Sequence, residues 1–244
     1  MGSLSTPALV LVFVAGSGFT WAAGTVLSKT TDALDARLRL GADLGGLILL
    51  AIAGSLPEHA ITVSAAASGN LGLAAGNLIG GIAMQTMVLV ICDVASGPQP
   101  PLTYLIGRLT PVLEGLLVMN VVAFALMGAL LAPRYAIGGV VSPASIAIVV
   151  VWLGDNALAM GDILGGNAFQ LCLFLLADII AVRPVLPYAG DTNAWLGALG
   201  IALTAIYCFG MISRPARAHL RIGPDSWLAV VVFGLGIAGM FALR

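Results

Sequence analysis

Between Leu40 and Ala95 the chain has no lysine or arginine, and only Asp43, Glu58, His59 and Asp93 can carry charge near neutral pH. So apolar a stretch must lie in a buried core or in a lipid bilayer, and length separates the two. A bilayer span needs about 20 apolar residues. Runs of that length recur along the chain, which is 60% hydrophobic and only 9% charged. A soluble domain carries about 25% charged residues. The sequence therefore describes an all-α, multi-pass membrane protein. Ten Lys and Arg against eleven acids leave no basic face for nucleic acid.

Eight spans are expected, at 7–28, 40–67, 71–95, 108–132, 135–153, 157–181, 192–213 and 226–243, forming a single membrane domain over 1–244. Nothing positive precedes residues 7–27, so they read as a first span rather than a signal peptide. Thirty-one glycines suit close helix packing in lipid. Cys92, Cys172 and Cys208 all lie in apolar runs and read as small buried hydrophobes. Loops after spans 1, 3, 5 and 7 hold Lys29, Arg37, Arg39, Arg108, Arg214, Arg217 and Arg221. The opposite side holds Arg134, Arg183 and Arg244, so the first set is expected in the cytoplasm and the N-terminus outside.

Sliding the chain by 85 residues lays 69–85 (GNLGLAAGNLIGGIAMQ) on 154–170 (GDNALAMGDILGGNAFQ). Gly69, Leu73, Ala74, Gly76, Gly80, Gly81, Ala83, Gln85 and Asp93 are identical in both copies, and Asn77 falls on the near-isosteric Asp162. The copies sit on spans three and six, so they cross in opposite directions. That is an inverted-topology repeat, which places a site at the midplane where interrupted helices meet. The first repeat covers about 8–153 and a partial second about 154–244.

The interruptions carry the chemistry. Glu58 lies inside an apolar span, where a carboxylate costs roughly 3 kcal/mol or more unless it faces a polar cavity. Pro57 before it removes a backbone N–H and frees a carbonyl, which beside a carboxylate becomes a cation ligand. Asn77 and Asp162 also lie well inside, and Ser55, Thr62 and Ser64 accompany Glu58. Carboxylate, amide, hydroxyl and carbonyl oxygens suit hard cations such as calcium. Two carboxylates neutralise one divalent ion. Once it leaves they repel and their proton affinity rises, so sodium or proton replacement follows from the same site. The bland alternative is a kinked helix with a packed, protonated glutamate; Asn77 and the second copy of the motif argue against it.

Asp43, Asp93 and Asp178 lie nearer span ends and read as interfacial or helix-end groups. Glu114 fits an ion pair or solvated edge as well as a pathway. His59 reads as a packed or cavity-lining histidine. An enzyme is not expected. HExxH is absent, no Tyr-Asp dipeptide partners Asp162, and Ser17 has no histidine suitably placed for a dyad. An acid-lined channel remains the competing class.

At SLPE (55–58), GNLIGG (76–81) and GDILGGNAF (161–169) the chain resembles the sodium/calcium exchanger family of the calcium:cation antiporter superfamily. The resemblance implies that Glu58 and Asp162 ligate calcium or its counter-ion, with Asn77 and Ser55 contributing. It implies alternating access, no cofactor beyond the transported ions, and a multi-pass place in a bacterial plasma membrane among lipid and small cations. The expected function is exchange of a divalent cation, calcium foremost, for sodium or protons. The alternative is a channel-like or transport-incompetent cation-binding relative. Against the family's ten helices this chain shows eight spans, so the second repeat lacks about two helices. Its Ser-x-Pro-Glu motif is echoed only by Ser142-Pro143-Ala144, and Gly54 stands where threonine is usual. Three explanations stand beside one another: a homodimer that fills the gap, a degenerate non-transporting form, or a break in the gene near residues 145–156.

Overall fold

The computed structural model describes residues 5–38, 55–95, 100–106, 108–154, 163–216, 218 and 222–242. The chain divides into two compact units, Met1–Gly54 and Ser55–Arg244. In the first, α1 (Thr6–Leu38) is one continuous helix, and its Thr6–Val26 part is long and apolar enough to cross a membrane.

The second unit holds eight α-helices among its described residues. These are α2 (Leu56–Ala67), α3 (Leu71–Ala95), α4 (Leu102–Ile106), α5 (Leu109–Leu130), α6 (Pro143–Gly154), α7 (Ile163–Ala181), α8 (Gly190–Ser213) and α9 (Pro224–Ala242). Helices α3, α5, α7, α8 and α9 are of span length and fall on five of the expected spans. The chain is thus an all-α, multi-pass membrane protein. Backbone groups cannot be left unpaired in lipid, so such apolar runs resolve as helices.

The breaks between helices follow from local chemistry. Pro57 sits in the first turn of α2, where its missing N–H costs nothing. Between α2 and α3, Gly69 takes φ +74, a left-handed turn open to glycine, and Asn70 Oδ1 accepts from the Leu73 N–H at 3.3 Å. The expected fifth span, 135–153, is corrected: its helix starts at Pro143. Residues 133–135 form a 3-10 turn, Gly138 and Gly139 both have positive φ, and Pro143 opens α6. At 12 residues α6 is about 18 Å long and does not span a bilayer alone.

Two carboxylates at repeat-equivalent positions tie the ends together. Asp93, ending α3, accepts from the backbone N–H of Leu102 (2.8 Å) and Gly223 (2.7 Å). Asp178, ending α7, accepts from the N–H of Ser142 (2.9 Å) and Val185 (2.7 Å). Near the start of α3, Gly72 O accepts from Asn193 Nδ2 of early α8 at 3.1 Å. The start of α8 follows Val185, so it lies at the Asp178 end. Helix α3 therefore runs away from the end where α7 finishes, and the two repeat helices are antiparallel. The two copies of the repeated segment thus cross in opposite directions, as the sequence reading expects. Arg214, whose guanidinium donates to Tyr104 O at 3.1 Å, lies at the Asp93 end, whereas Arg183 lies at the Asp178 end.

The core lies between the repeat helices and their neighbours. Leu78, Ile79 and Ile82 of α3, Val118, Val121 and Val122 of α5, Ile148 of α6, and Leu171 and Phe174 of α7 are fully buried. Apolar contact with lipid matches apolar contact with protein. Association therefore rests on close packing and on the few polar bonds that cross between helices.

Candidate cation site

The first turn of α2 presents Glu58 and follows the buried Ser55. Ser55 O accepts from His59 N (3.0 Å) and lies 2.6 Å from His59 Nδ1. The His59 ring meets Phe169 of α7 at 5.7 Å between centroids, and Phe169 meets Trp152 of α6 at 5.3 Å.

Asn77 holds α2 against α3. Its Nδ2 donates to Glu58 O and to Thr62 Oγ1, both at 3.0 Å. It therefore touches the backbone of Glu58 and not its carboxylate. The carboxylate meets Gln85, whose Nε2 donates to Glu58 Oε1 at 3.1 Å and to Gln170 Oε1 at 3.0 Å. Gln170 Nε2 in turn donates to the backbone carbonyls of Leu78 (3.0 Å) and Asn77 (3.3 Å). Those carbonyls accept only, so they fix which end of the Gln170 amide is nitrogen. The Gln170 oxygen must then face Gln85, and Gln85 must present N–H to Glu58. The row runs from two main-chain carbonyls to a carboxylate with every orientation determined.

Beyond this row, Glu58 Oε2 is buried with no hydrogen-bond partner among the described residues. A buried carboxylate oxygen left unmatched is costly, and a proton or a cation removes that cost. Asn167, one turn before Gln170 and fully buried, has neither amide atom paired among the described residues, and the buried Trp152 Nε1 likewise finds no partner among them. No group of three or more His, Cys, Asp or Glu occurs among the described residues. Among the described residues, a cation here would meet Glu58 and neutral oxygens from hydroxyls, amides and main chain.

The sequence-based candidates separate accordingly. Glu58 and Ser55 stand at the head of α2, Asn77 packs behind them, and Asp162 lies outside the described residues. Gln85, Gln170 and Asn167 were not singled out. The signal was the identity of Gln85 and Gln170 in the two repeat copies. Ser142-Pro143-Ala144 does not reach this level. Ser142 is bound to Asp178, eight residues or about 12 Å along α7 from Gln170. Trp152, not Ala144, is the α6 residue whose ring meets Phe169, the neighbour of Gln170 in sequence.

No curated protein and no solved structure matches the chain. The family model described as sodium/calcium exchanger protein matches residues 8–140, more than half of the 244. The match takes in Ser55, Glu58, Asn77 and Gln85. With that match over more than half of the chain, α2 and α3 included, the chain belongs to the sodium/calcium exchanger family, whose members move cations across membranes.

Proposed function

We propose that the protein is a secondary transporter exchanging a divalent cation, calcium foremost, for sodium or protons. The observation that carries this is Glu58: one oxygen is capped by Gln85, and the other is buried with no hydrogen-bond partner among the described residues. A carboxylate in that condition favours occupancy, and any one occupant excludes the next. Exchange follows when the inverted repeats expose the occupied site to one side and then the other. A divalent ion asks for a second negative charge, and Asp162 is the residue proposed to supply it. The transported ions are substrates, and the reading requires no cofactor. A bacterial plasma membrane is the proposed setting, with a second copy of the chain covering the flank left by the shortened second repeat.

Uptake of calcium into proteoliposomes loaded with sodium, with acid, or with neither tests this reading. Uptake should depend on one of the two opposing ions. Uptake without any opposing ion would make the protein a channel, and no uptake by folded protein would make it a transport-incompetent relative.

A further inference from the structure

The mirrored contacts reach beyond α3 and α7. Gly115 of α5 meets Cys208 of α8 and Leu164 of α7, and its Cβ would lie 3.7 Å from Leu164 Cδ1. Gly197 of α8 meets Leu126 of α5 and Ile79 of α3, and its Cβ would lie 2.8 Å from Leu126 Cδ2 and 3.1 Å from Ile79 Cγ2. Gly115 and Gly197 stand 82 residues apart, as do Leu126 and Cys208, and Ile79 is the mate of Leu164 at the offset of 85. Helices α5 and α8 are therefore mates as well, and the mate of Leu196 is Glu114. Leu196 fills an ordinary apolar place: a Cβ on Gly80 of α3 would lie 3.4 Å from its Cδ1. Glu114 holds the mirrored place at the first turn of α7. It is only 7% exposed there, and it lines a cavity with Ile163 and Leu164.

We propose that Glu114 is a second cation-binding carboxylate, a calcium station between the Asp93 end and Glu58. Its level follows from α7, which runs toward Asp178. Leu164 lies six residues, about 9 Å, from Gln170 on the Asp93 side. Gln170 is bonded to Gln85, and Gln85 to Glu58, so Glu114 stands at a level between Glu58 and that end. The cavity, about 320 Å³ among the described residues, reaches Thr103 of α4, the helix that Asp93 holds through Leu102 N. Thr103 is buried and adds a hydroxyl oxygen, a ligand type that hard cations take. A carboxylate inside an apolar span is costly unless a polar group, a proton or a cation meets it. Packing does not call for the acid, since the mate of Glu114 is a leucine. On the Asp178 side that leucine holds the equivalent place, so a route past Glu114 serves one end of the fold. The inference rests on the reading of Glu58 as the cation site, because a station needs its destination.

Terbium, a calcium stand-in that emits when excited through a nearby aromatic ring, tests this in detergent-purified full-length protein. Tyr207 lines the cavity with Glu114 and reports an ion bound there. In a Glu58→Gln background terbium should still bind with tyrosine-sensitised emission, and calcium should displace it. Adding Glu114→Gln should weaken terbium by about tenfold or more, the effect of one charge removed from a set of oxygen ligands. Glu114→Asp, which keeps the charge, should retain most of the affinity, and Tyr207→Phe should lower the emission without lowering affinity. Affinity untouched by Glu114→Gln, or lost with Glu58→Gln alone, would overturn the station. A lower melting temperature with unchanged affinity would likewise overturn it and make Glu114 a structural pairing group. Should Glu114→Gln fail to fold, the absence of tyrosine-sensitised emission in folded Glu58→Gln protein would overturn it. If Glu58→Gln removes no bound ion while Glu114→Gln does, the reading of Glu58 fails and the cation site at Glu114 stands.

Discussion

Gln85 and Gln170 stand 85 residues apart, at the same position of the two repeat copies, and are hydrogen-bonded to each other at 3.0 Å. Residues related by an approximate two-fold axis can touch their own mates only near that axis. The pair therefore marks the centre of the inverted repeat, and Glu58 lies one hydrogen bond from it. Symmetry is broken at that point. Gln85 finds a carboxylate, whereas Gln170 finds main-chain carbonyls.

Glu58→Gln tests the carboxylate with little change of shape. Transport should be abolished while helical content and gel-filtration behaviour stay those of the wild type. Unchanged flux in this variant would refute the assignment of Glu58.

The geometry ranks Gln85 above Asn77. Gln85→Ala removes the group that touches the carboxylate, and Asn77→Ala removes one that touches its backbone. Cation affinity should change several-fold more in Gln85→Ala, while Asn77→Ala should mainly lower stability, by about 1–2 kcal/mol. Calorimetric binding and thermal melts on the two variants separate these effects; the reverse ranking would contradict the site as described.

Gly81→Ala drives a methyl into Gln170 Nε2, whose amide must leave the carbonyls of Asn77 and Leu78. The end of a glutamine can swing aside, so the cost should be about 1–2 kcal/mol rather than a failure to fold. Gln170→Ala should remove most of the added penalty of Gly81→Ala, because no amide is then left to displace. Additive melting shifts for the pair would be inconsistent with the contact.

Asp93 and Asp178 each hold two backbone N–H groups at a helix end. Asp178→Ala strands the N–H of Ser142 and Val185 and should cost about 2–4 kcal/mol. Asp191→Ala, at an exposed position in the first turn of α8, should cost under about 0.5 kcal/mol. Denaturant unfolding in detergent compares them, and similar losses would argue against the helix-end role of Asp178.

The spans were legible because hydropathy and length dictate helices in lipid, and the repeat was legible because Gly80, Gly81, Gln85 and Asp93 recur at one offset. The reading of Asp93 and Asp178 as helix-end groups agrees with their bonds to backbone N–H. Span five was misjudged at its start. Gly138-Gly139 and Pro143 held the signal, but apolar Tyr135–Val141 masked it, since hydropathy does not distinguish a helix from a bent apolar loop. Gln85 and Gln170 were passed over because a neutral amide looks less conspicuous in an apolar run than a carboxylate. Their importance comes from a contact across 85 residues, which helical spacing within one segment does not reveal. Asn77 lies deep in its span, as the sequence shows; that its Nδ2 donates to Glu58 O and Thr62 Oγ1 is a contact between helices that depth does not reveal.

The central claim is that Glu58 serves exchange, and calcium uptake into sodium-loaded or acid-loaded proteoliposomes tests it most directly, wild type beside Glu58→Gln. The account predicts uptake by the wild type only against an opposing ion, and none by the variant. Uptake that needs no opposing ion, or that survives in Glu58→Gln, would contradict it.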